Sequence, residues 1–247
     1  MKEIAFSRFW YWMLLMAVLC YFIGCFNFAA IYARCRHRDI HKIGSGNPGT
    51  MNMSREFGLK VGFVNFILDA LKGGLPALAS FLVFRKYVFA GTTVRVSDFT
   101  RYFCGLFVII GHIYPVTMRL RGGKGIASLL GLFTFCLPCD TWWFIFPAIG
   151  VLLCVLFYII IAEWGSMGSL LGVTGFSIWQ GMVFFLRYSA QGMLKSGWVV
   201  GVFLLILAVN FLTWFAHRKN LLRLFAGEEH RTSVKKLSKG KRGTQNM

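Results

Sequence analysis

The sequence predicts an all-α polytopic membrane protein of about seven transmembrane helices, and three observations predict it. The 247 residues are 57% hydrophobic and only 15% charged, with mean hydropathy +0.62, whereas a soluble domain of this length carries roughly 25% charged residues. Long apolar runs recur, most of them near the roughly 20 residues that a helix needs to cross the hydrocarbon core. The remaining charges are lopsided, 27 Lys and Arg against 9 Asp and Glu, and most basic residues lie between or after the apolar runs. On a soluble chain a net charge of +18 would suggest nucleic acid. Here the basic residues point to membrane lipid and anionic small molecules, and no nucleic acid is expected.

The candidate spans are 9–33, 59–84, 102–118, 124–138, 142–163, 167–187 and 196–216. The first is too long for a signal peptide, and Arg34, Arg36, Arg38 and Lys42 follow it as a stop-transfer cluster. The second carries Asp69 and Lys72. The fourth is short, and Leu137-Pro138 is expected to end it. The sixth begins at Ser166 and Ser169, with Glu163 just ahead as a lone acid among cations. No internal repeat is visible. The chain therefore reads as one membrane domain over 1–229, followed by a basic tail over 230–247 that is expected to be disordered.

Lys and Arg counts set the expected orientation. With the N-terminus outside, the cytoplasmic segments hold 18 basic residues and the outer ones 8, counting Arg101 and Arg187 as outer flanks, with Lys72 left inside a span. N-terminus out and C-terminus in is favoured. The seven cysteines form no disulfide pattern: Cys20, Cys25, Cys104 and Cys154 sit within apolar runs as small hydrophobes. Cys136-x-x-Cys139 lies at a short turn, and Cys35-x-His37 has no second ligand pair, so no metal is expected.

Three polar blocks carry the chemistry. The first reads Gly44-Ser45-Gly46-Asn47-Pro48-Gly49-Thr50-Met51-Asn52-Met53-Ser54-Arg55. It formally contains GxGxxG, but a membrane span precedes it where a dinucleotide-binding unit needs a strand. Its glycines let backbone amides approach a phosphate closely, Ser45, Asn47 and Asn52 add side-chain hydrogen bonds, and Arg55 can grip a phosphate with two parallel bonds. The ordinary alternative, a plain glycine-rich loop, does not explain that density of Asn, Ser and Arg. The second block runs from Gly111-His112 to Arg119-Leu120-Arg121-Gly122-Gly123-Lys124-Gly125. Lys124 between glycines at a helix start suits a phosphate, although the spacing is not that of a Walker A loop. His112, in a mostly apolar run, reads as a hydrogen-bonded interior histidine.

The third block is His217-Arg218-Lys219-Asn220-Leu221-Leu222-Arg223-Leu224-Phe225-Ala226-Gly227-Glu228-Glu229. If the last helix continues, His217, Asn220 and Arg223 share one side. A stop-transfer end explains Arg218 and Lys219 but not His217 and Asn220. Asp69 and Lys72 are three apart and can pair on one helix face; charges at that depth are costly, and they serve either function or a structural ion pair. All three blocks and Ser166 fall on one side of the expected topology, which suggests one anion site at the cytoplasmic interface.

In order and content these blocks resemble the bacterial acyl-phosphate:glycerol-3-phosphate acyltransferases of the PlsY type. GSGNPGTMNMSR (44–55), GHIYPVTMRLRGGKGIAS (111–128) and HRKNLLRLFAGEE (217–229) resemble that family's three cytoplasmic motifs, and Asp69, Lys72 and Gly73 its intervening Asp-x-x-Lys-Gly. The resemblance implies a seven-helix fold in the bacterial inner membrane with the active site facing the cytoplasm. It implies transfer of an acyl group from acyl phosphate to the 1-hydroxyl of glycerol 3-phosphate, giving lysophosphatidic acid, with no cofactor and with a link to the enzyme that makes acyl phosphate. It carries a polar site onto Ser45, Asn47, Arg55, Lys124, Ser166, His217 and Asn220, and only it singles out Ser166. His217, Lys124 and Ser45 become the expected catalytic groups. Gly44, Gly46, Asn47, Arg55, Gly122, Gly123, Ser166 and Asn220 become expected binding groups, and Asp69, Lys72, His112 and Arg223 supporting ones. Met51 replaces the family's usual small hydroxyl residue, and Glu163 stands where a basic residue is expected. The rivals are a transporter of a phosphorylated solute, which the absence of repeats disfavours, and a catalytically degenerate member of the family.

Overall fold

The computed structural model describes residues 1–228. Glu229 and the tail over 230–247 lie outside the described residues. The elements are β1 (Lys2–Ile4), α1 (Phe6–Cys25), α2 (Phe28–Cys35), α3 (Thr50–Phe57), α4 (Leu59–Phe84), β2 (Tyr87–Phe89), α5 (Val96–Ile113), α6 (Ile126–Asp140), α7 (Ile145–Ala162), α8 (Gly165–Ala190), α9 (Gly197–Ala216) and α10 (Arg218–Phe225). Six segments are long and apolar enough to cross a bilayer: Phe6–Cys35, Leu59–Phe84, Val96–Met118, Trp142–Ala162, Gly165–Ala190 and Gly197–Ala216. The expected fourth span, α6, is a shorter apolar helix.

Helix α5 is the central post, packed against α1, α4 and α9. In its most apolar window 67% of residues are buried, against 6% in the window of α7. Apolar side chains face the bundle in the first and lipid in the second. Helices α4 and α6 cross closely, with Gly73 against the Ser128 carbonyl and Gly131 against the Ala70 carbonyl. Hydrocarbon tails are as apolar as leucine, so membrane helices gain cohesion from such close backbone approach rather than from hydrophobic burial. Tyr102, Phe133, Phe176 and Phe184 fill the interior between α5, α6 and α8.

Four features depart from the sequence reading. First, the initial span breaks at Phe26. Asn27 caps α2 by accepting from the Ala30 amide at 2.9 Å, and the Phe26 carbonyl accepts from Lys72 Nζ at 2.8 Å. A backbone carbonyl left unpaired in hydrocarbon costs several kcal/mol, and the buried lysine satisfies this one. Second, β1 and β2 pair in parallel, Lys2 with Tyr87 and Ile4 with Phe89, which ties the N-terminus to the end of α4. Third, Pro138 does not end α6, which runs on to Asp140.

The reason for that extension is the fourth departure. Arg101 and Arg187 are not loop flanks; they belong to a buried ion network with Asp98 and Asp140. Arg101 donates to Asp98 at 2.6 Å and to Asp140 at 3.1 Å, and Arg187 donates to both acids at 2.7 Å. Tyr188 adds a bond to Asp98 at 2.6 Å and Gln180 one to Asp140 at 2.9 Å. Two cations balance two anions, so the cluster is neutral and tolerable within a bilayer. It clamps the start of α5 and the ends of α6 and α8. The opposite ends of these three helices carry His112, Lys124 and Ser166.

Candidate active site

Lys124 lies in the stretch before α6, and Gly125 turns the chain into the helix with φ of 83°. That left-handed conformation is open to glycine at little cost. The stretch is strapped to the last turn of α5, because the Gly122 amide donates to the Ile113 carbonyl and the Gly123 amide to the His112 carbonyl, each at 3.0 Å. The amides of these two glycines have internal partners, and what the positions require is the absence of a Cβ: at Gly123 one would run into the His112 ring, at Gly122 into the His112 carbonyl.

Around Lys124 the second and third blocks meet. Lys124 Nζ donates to Asn220 Oδ1 at 2.7 Å, and Asn220 Nδ2 donates to Ser166 Oγ at 2.6 Å. Arg223 also donates to Asn220 Oδ1, at 3.0 Å. Asn220 is thus the junction of three helix ends, and as a neutral amide it holds the lysine without cancelling its charge. Ser166 lies in the first turn of α8, which starts two residues earlier than its sequence pattern suggested. Glu163, just ahead, takes a left-handed conformation with φ of 57° that closes α7.

The last helix does not continue through the third block. It stops at Ala216, His217 caps it, and α10 begins at Arg218. His217 is buried, 3% exposed. Its Nδ1 lies 2.8 Å from the Thr213 carbonyl; a carbonyl only accepts, so Nδ1 carries the hydrogen and Nε2 presents a lone pair. Burial, and then the nearby Lys124 charge, push the imidazole down to about 4. At neutral pH the ring is an uncharged acceptor beside a cation.

The first block is folded on itself. The Ser45 amide donates to Asn52 Oδ1 at 2.9 Å, Asn52 Nδ2 to the Ile43 carbonyl at 3.1 Å, and the Gly46 amide to the Ile43 carbonyl at 2.9 Å. Gly44 and Gly46 both adopt positive φ, and a Cβ on Gly44 would strike Asn52. Asn47 curls over its own turn, where its carbonyl accepts from the Gly49 amide. So Asn52 organises the loop, and Arg55 follows on α3, half-buried.

A buried chain of polar groups joins this block to the others. Thr50, the first residue of α3, lies 3.5 Å from Asn65 Nδ2, and Asn65 donates to Asp69 at 3.0 Å. Asp69 pairs with Lys72 at 2.7 Å, as the spacing predicted, and its Oδ1 is 3.7 Å from His112 Nδ1. His112 is interior as expected, but its Nδ1 has no hydrogen-bond partner among the described residues. Sequence reading missed Asn65, although its position four residues before Asp69 places both on one helix face. It also missed Thr213, whose part is played by its carbonyl and so leaves no mark in residue type.

A family model described as glycerol-3-phosphate acyltransferase matches residues 14–227. The glycerol-3-phosphate acyltransferase of Finegoldia magna is 30% identical over 88% of this chain and 95% of its own length. The enzyme of that name from a Thermoanaerobacter species is 33% identical over 90% and 96%. Among solved structures, the glycerol 3-phosphate form of PlsY, an integral membrane glycerol 3-phosphate acyltransferase, superposes with TM-score 0.67 at 28% identity, covering 89% of this chain and 94% of that one. Its lysophosphatidic acid form gives the same score at 26% identity. Family model, relatives and fold agree: this chain belongs to the glycerol-3-phosphate acyltransferase family.

Proposed function

We propose that the protein transfers a fatty acyl group from acyl phosphate to the 1-hydroxyl of glycerol 3-phosphate, at the cytoplasmic face of a bacterial inner membrane. The observation that carries this reading is the junction at Asn220, where Lys124 and Ser166 converge beside the neutral His217. In the transfer, the hydroxyl oxygen forms a bond to the acyl carbon, the bond from that carbon to the phosphate oxygen breaks, and inorganic phosphate leaves. Acyl phosphate is already activated, so positioning and charge stabilisation are the main demands on the protein. Lys124 stabilises the departing phosphate, Arg55 holds glycerol 3-phosphate, and Ser45, Asn47 and Ser166 complete the two anion sites. The hydroxyl proton goes to His217 Nε2 or to a substrate phosphate oxygen. A ring held near 4 is a weak base, but two bound phosphates oppose the effect of Lys124 and raise its basicity.

The N-terminus lies outside in this reading. Moving Arg101 and Arg187 from the outer flanks into the buried network leaves 18 basic residues against 6, which strengthens the bias. An enzyme on the cytoplasmic side must supply the acyl phosphate. The test is to mix detergent-purified protein with acyl phosphate and glycerol 3-phosphate, with acyl-CoA as a parallel donor. Equal amounts of phosphate and lysophosphatidic acid from acyl phosphate alone are expected. A well-folded sample that forms neither product sinks the reading.

A further inference from the structure

We infer that Asp69 is a positioning residue that fixes the two phosphate-binding segments, the helix carrying Arg55 and the loop carrying Lys124, relative to each other. The identity of the ligands rests on the acyl-transfer reading; the geometry does not. The Asp69 side chain is buried on α4 at 3% exposure, together with Asn65 at 0%, Lys72 at 7% and His112 at 4%. Through these three neighbours it reaches three separate parts of the chain. Lys72 carries it to the Phe26 carbonyl at the break between α1 and α2, at 2.8 Å. Asn65 carries it to Thr50 at the start of the helix that bears Arg55. His112 carries it to Gly123, whose amide donates to the His112 carbonyl and whose missing Cβ lets the ring lie against the loop.

The contacts are graded. Asp69 holds Lys72 at 2.7 Å and Asn65 at 3.0 Å, within ordinary hydrogen-bond range. The links onward are slack, 3.5 Å from Asn65 to Thr50 and 3.7 Å from Asp69 to His112. Both slack links lead to ligand-bearing segments, so one carboxylate senses the placement of both. An ion pair that served stability alone would not need these branches, because a neutral pair of similar shape does that work as well.

That contrast supplies the test. Asp69→Asn alone strands Lys72 without its carboxylate and is expected to unfold readily. The double variant Asp69→Asn, Lys72→Gln removes both charges and keeps an amide N–H that can donate to the Phe26 carbonyl. Binding of glycerol 3-phosphate, and of inorganic phosphate as a second probe, is read from ligand-dependent thermal shifts of the purified protein. The double variant is expected to melt like the wild type yet bind glycerol 3-phosphate about 10-fold more weakly, and to lose about 100-fold in kcat/KM, the usual scale for a displacement near 1 Å. His112→Asn keeps an N–H donor near the Nδ1 position and should bind like wild type, while His112→Leu should bind as weakly as the double variant. A double variant with both wild-type melting and wild-type affinity overturns the inference. So does equal binding by the two His112 variants, which decides the matter if the double variant does not fold. Because affinity is read without turnover, a wild type that binds glycerol 3-phosphate but transfers no acyl group removes the acyl-transfer reading and leaves this comparison standing.

Discussion

Replacing Asn220 by Asp separates the two things this side chain does. The substitution keeps the shape and the oxygen that accepts from Lys124 at 2.7 Å and from Arg223 at 3.0 Å. The serine hydroxyl at 2.6 Å can turn round and donate instead of accepting. The fold at this junction should therefore survive, with Lys124 held at least as tightly. What changes is one negative charge at the anion site. A phosphate on the far side of the ammonium would lie roughly 6 Å from the new carboxylate, and at an effective dielectric of about 20 each unit charge is repelled by about 3 kcal/mol. That corresponds to about a 100-fold rise in KM for the phosphate that Lys124 holds. Asn220→Ala has no added charge; it loses the charge-assisted bond from Lys124, the exposed and therefore weak one from Arg223, and the neutral one to Ser166, together about 2 kcal/mol, or about 30-fold in kcat/KM. The assay is steady-state transfer with each substrate varied in turn, with melting temperature as the control. If the Asp variant is well folded and its KM for both phosphates stays within about threefold of wild type, the Lys124–Asn220 pair does not face a bound phosphate.

Two further outcomes are expected. His217 stays neutral in the folded protein down to about pH 4, while in the unfolded chain it titrates near its ordinary value of 6.5. Between these values the unfolded state binds more protons, so stability is present above about pH 6.5 and is lost as pH falls toward 4, on the order of 3 kcal/mol in full. Melting followed from pH 7.5 to 5 should show a decline that His217→Gln flattens, and parallel curves for the two proteins would refute the assignment. Arg101→Met should destabilise by about 3–5 kcal/mol, because it leaves Asp98 and Asp140 sharing the single Arg187. The network lies at the far end of the bundle from Lys124, so thermal melting should fall while the affinity for glycerol 3-phosphate is unchanged in folded protein; weakened affinity at wild-type melting would contradict that separation.

The sequence by itself determined the class of fold, the approximate spans and the grouping of the three polar blocks. Burial of apolar side chains in lipid is nearly additive along the chain, so a run of such residues declares itself without reference to the rest. Pairing between Asp69 and Lys72 was legible for a related reason, since helical spacing alone brings them together. Motif order and content point to the family without any three-dimensional contact.

Only the tertiary structure decided how polar groups are shared. Arg101 meets Asp140 across 39 positions and Arg187 meets Asp98 across 89; in the sequence both arginines look like cations flanking a span. The break at Phe26 depends on Lys72, 46 positions away. The amides of Gly122 and Gly123 are engaged because that loop lies against the end of α5, and the tautomer of His217 follows from a carbonyl that residue type does not reveal. Hydrophobicity belongs to each residue separately, whereas a hydrogen bond or ion pair belongs to two groups and falls off within a few ångströms. The first can be summed along a chain; the second exists only once distant parts of the chain have met.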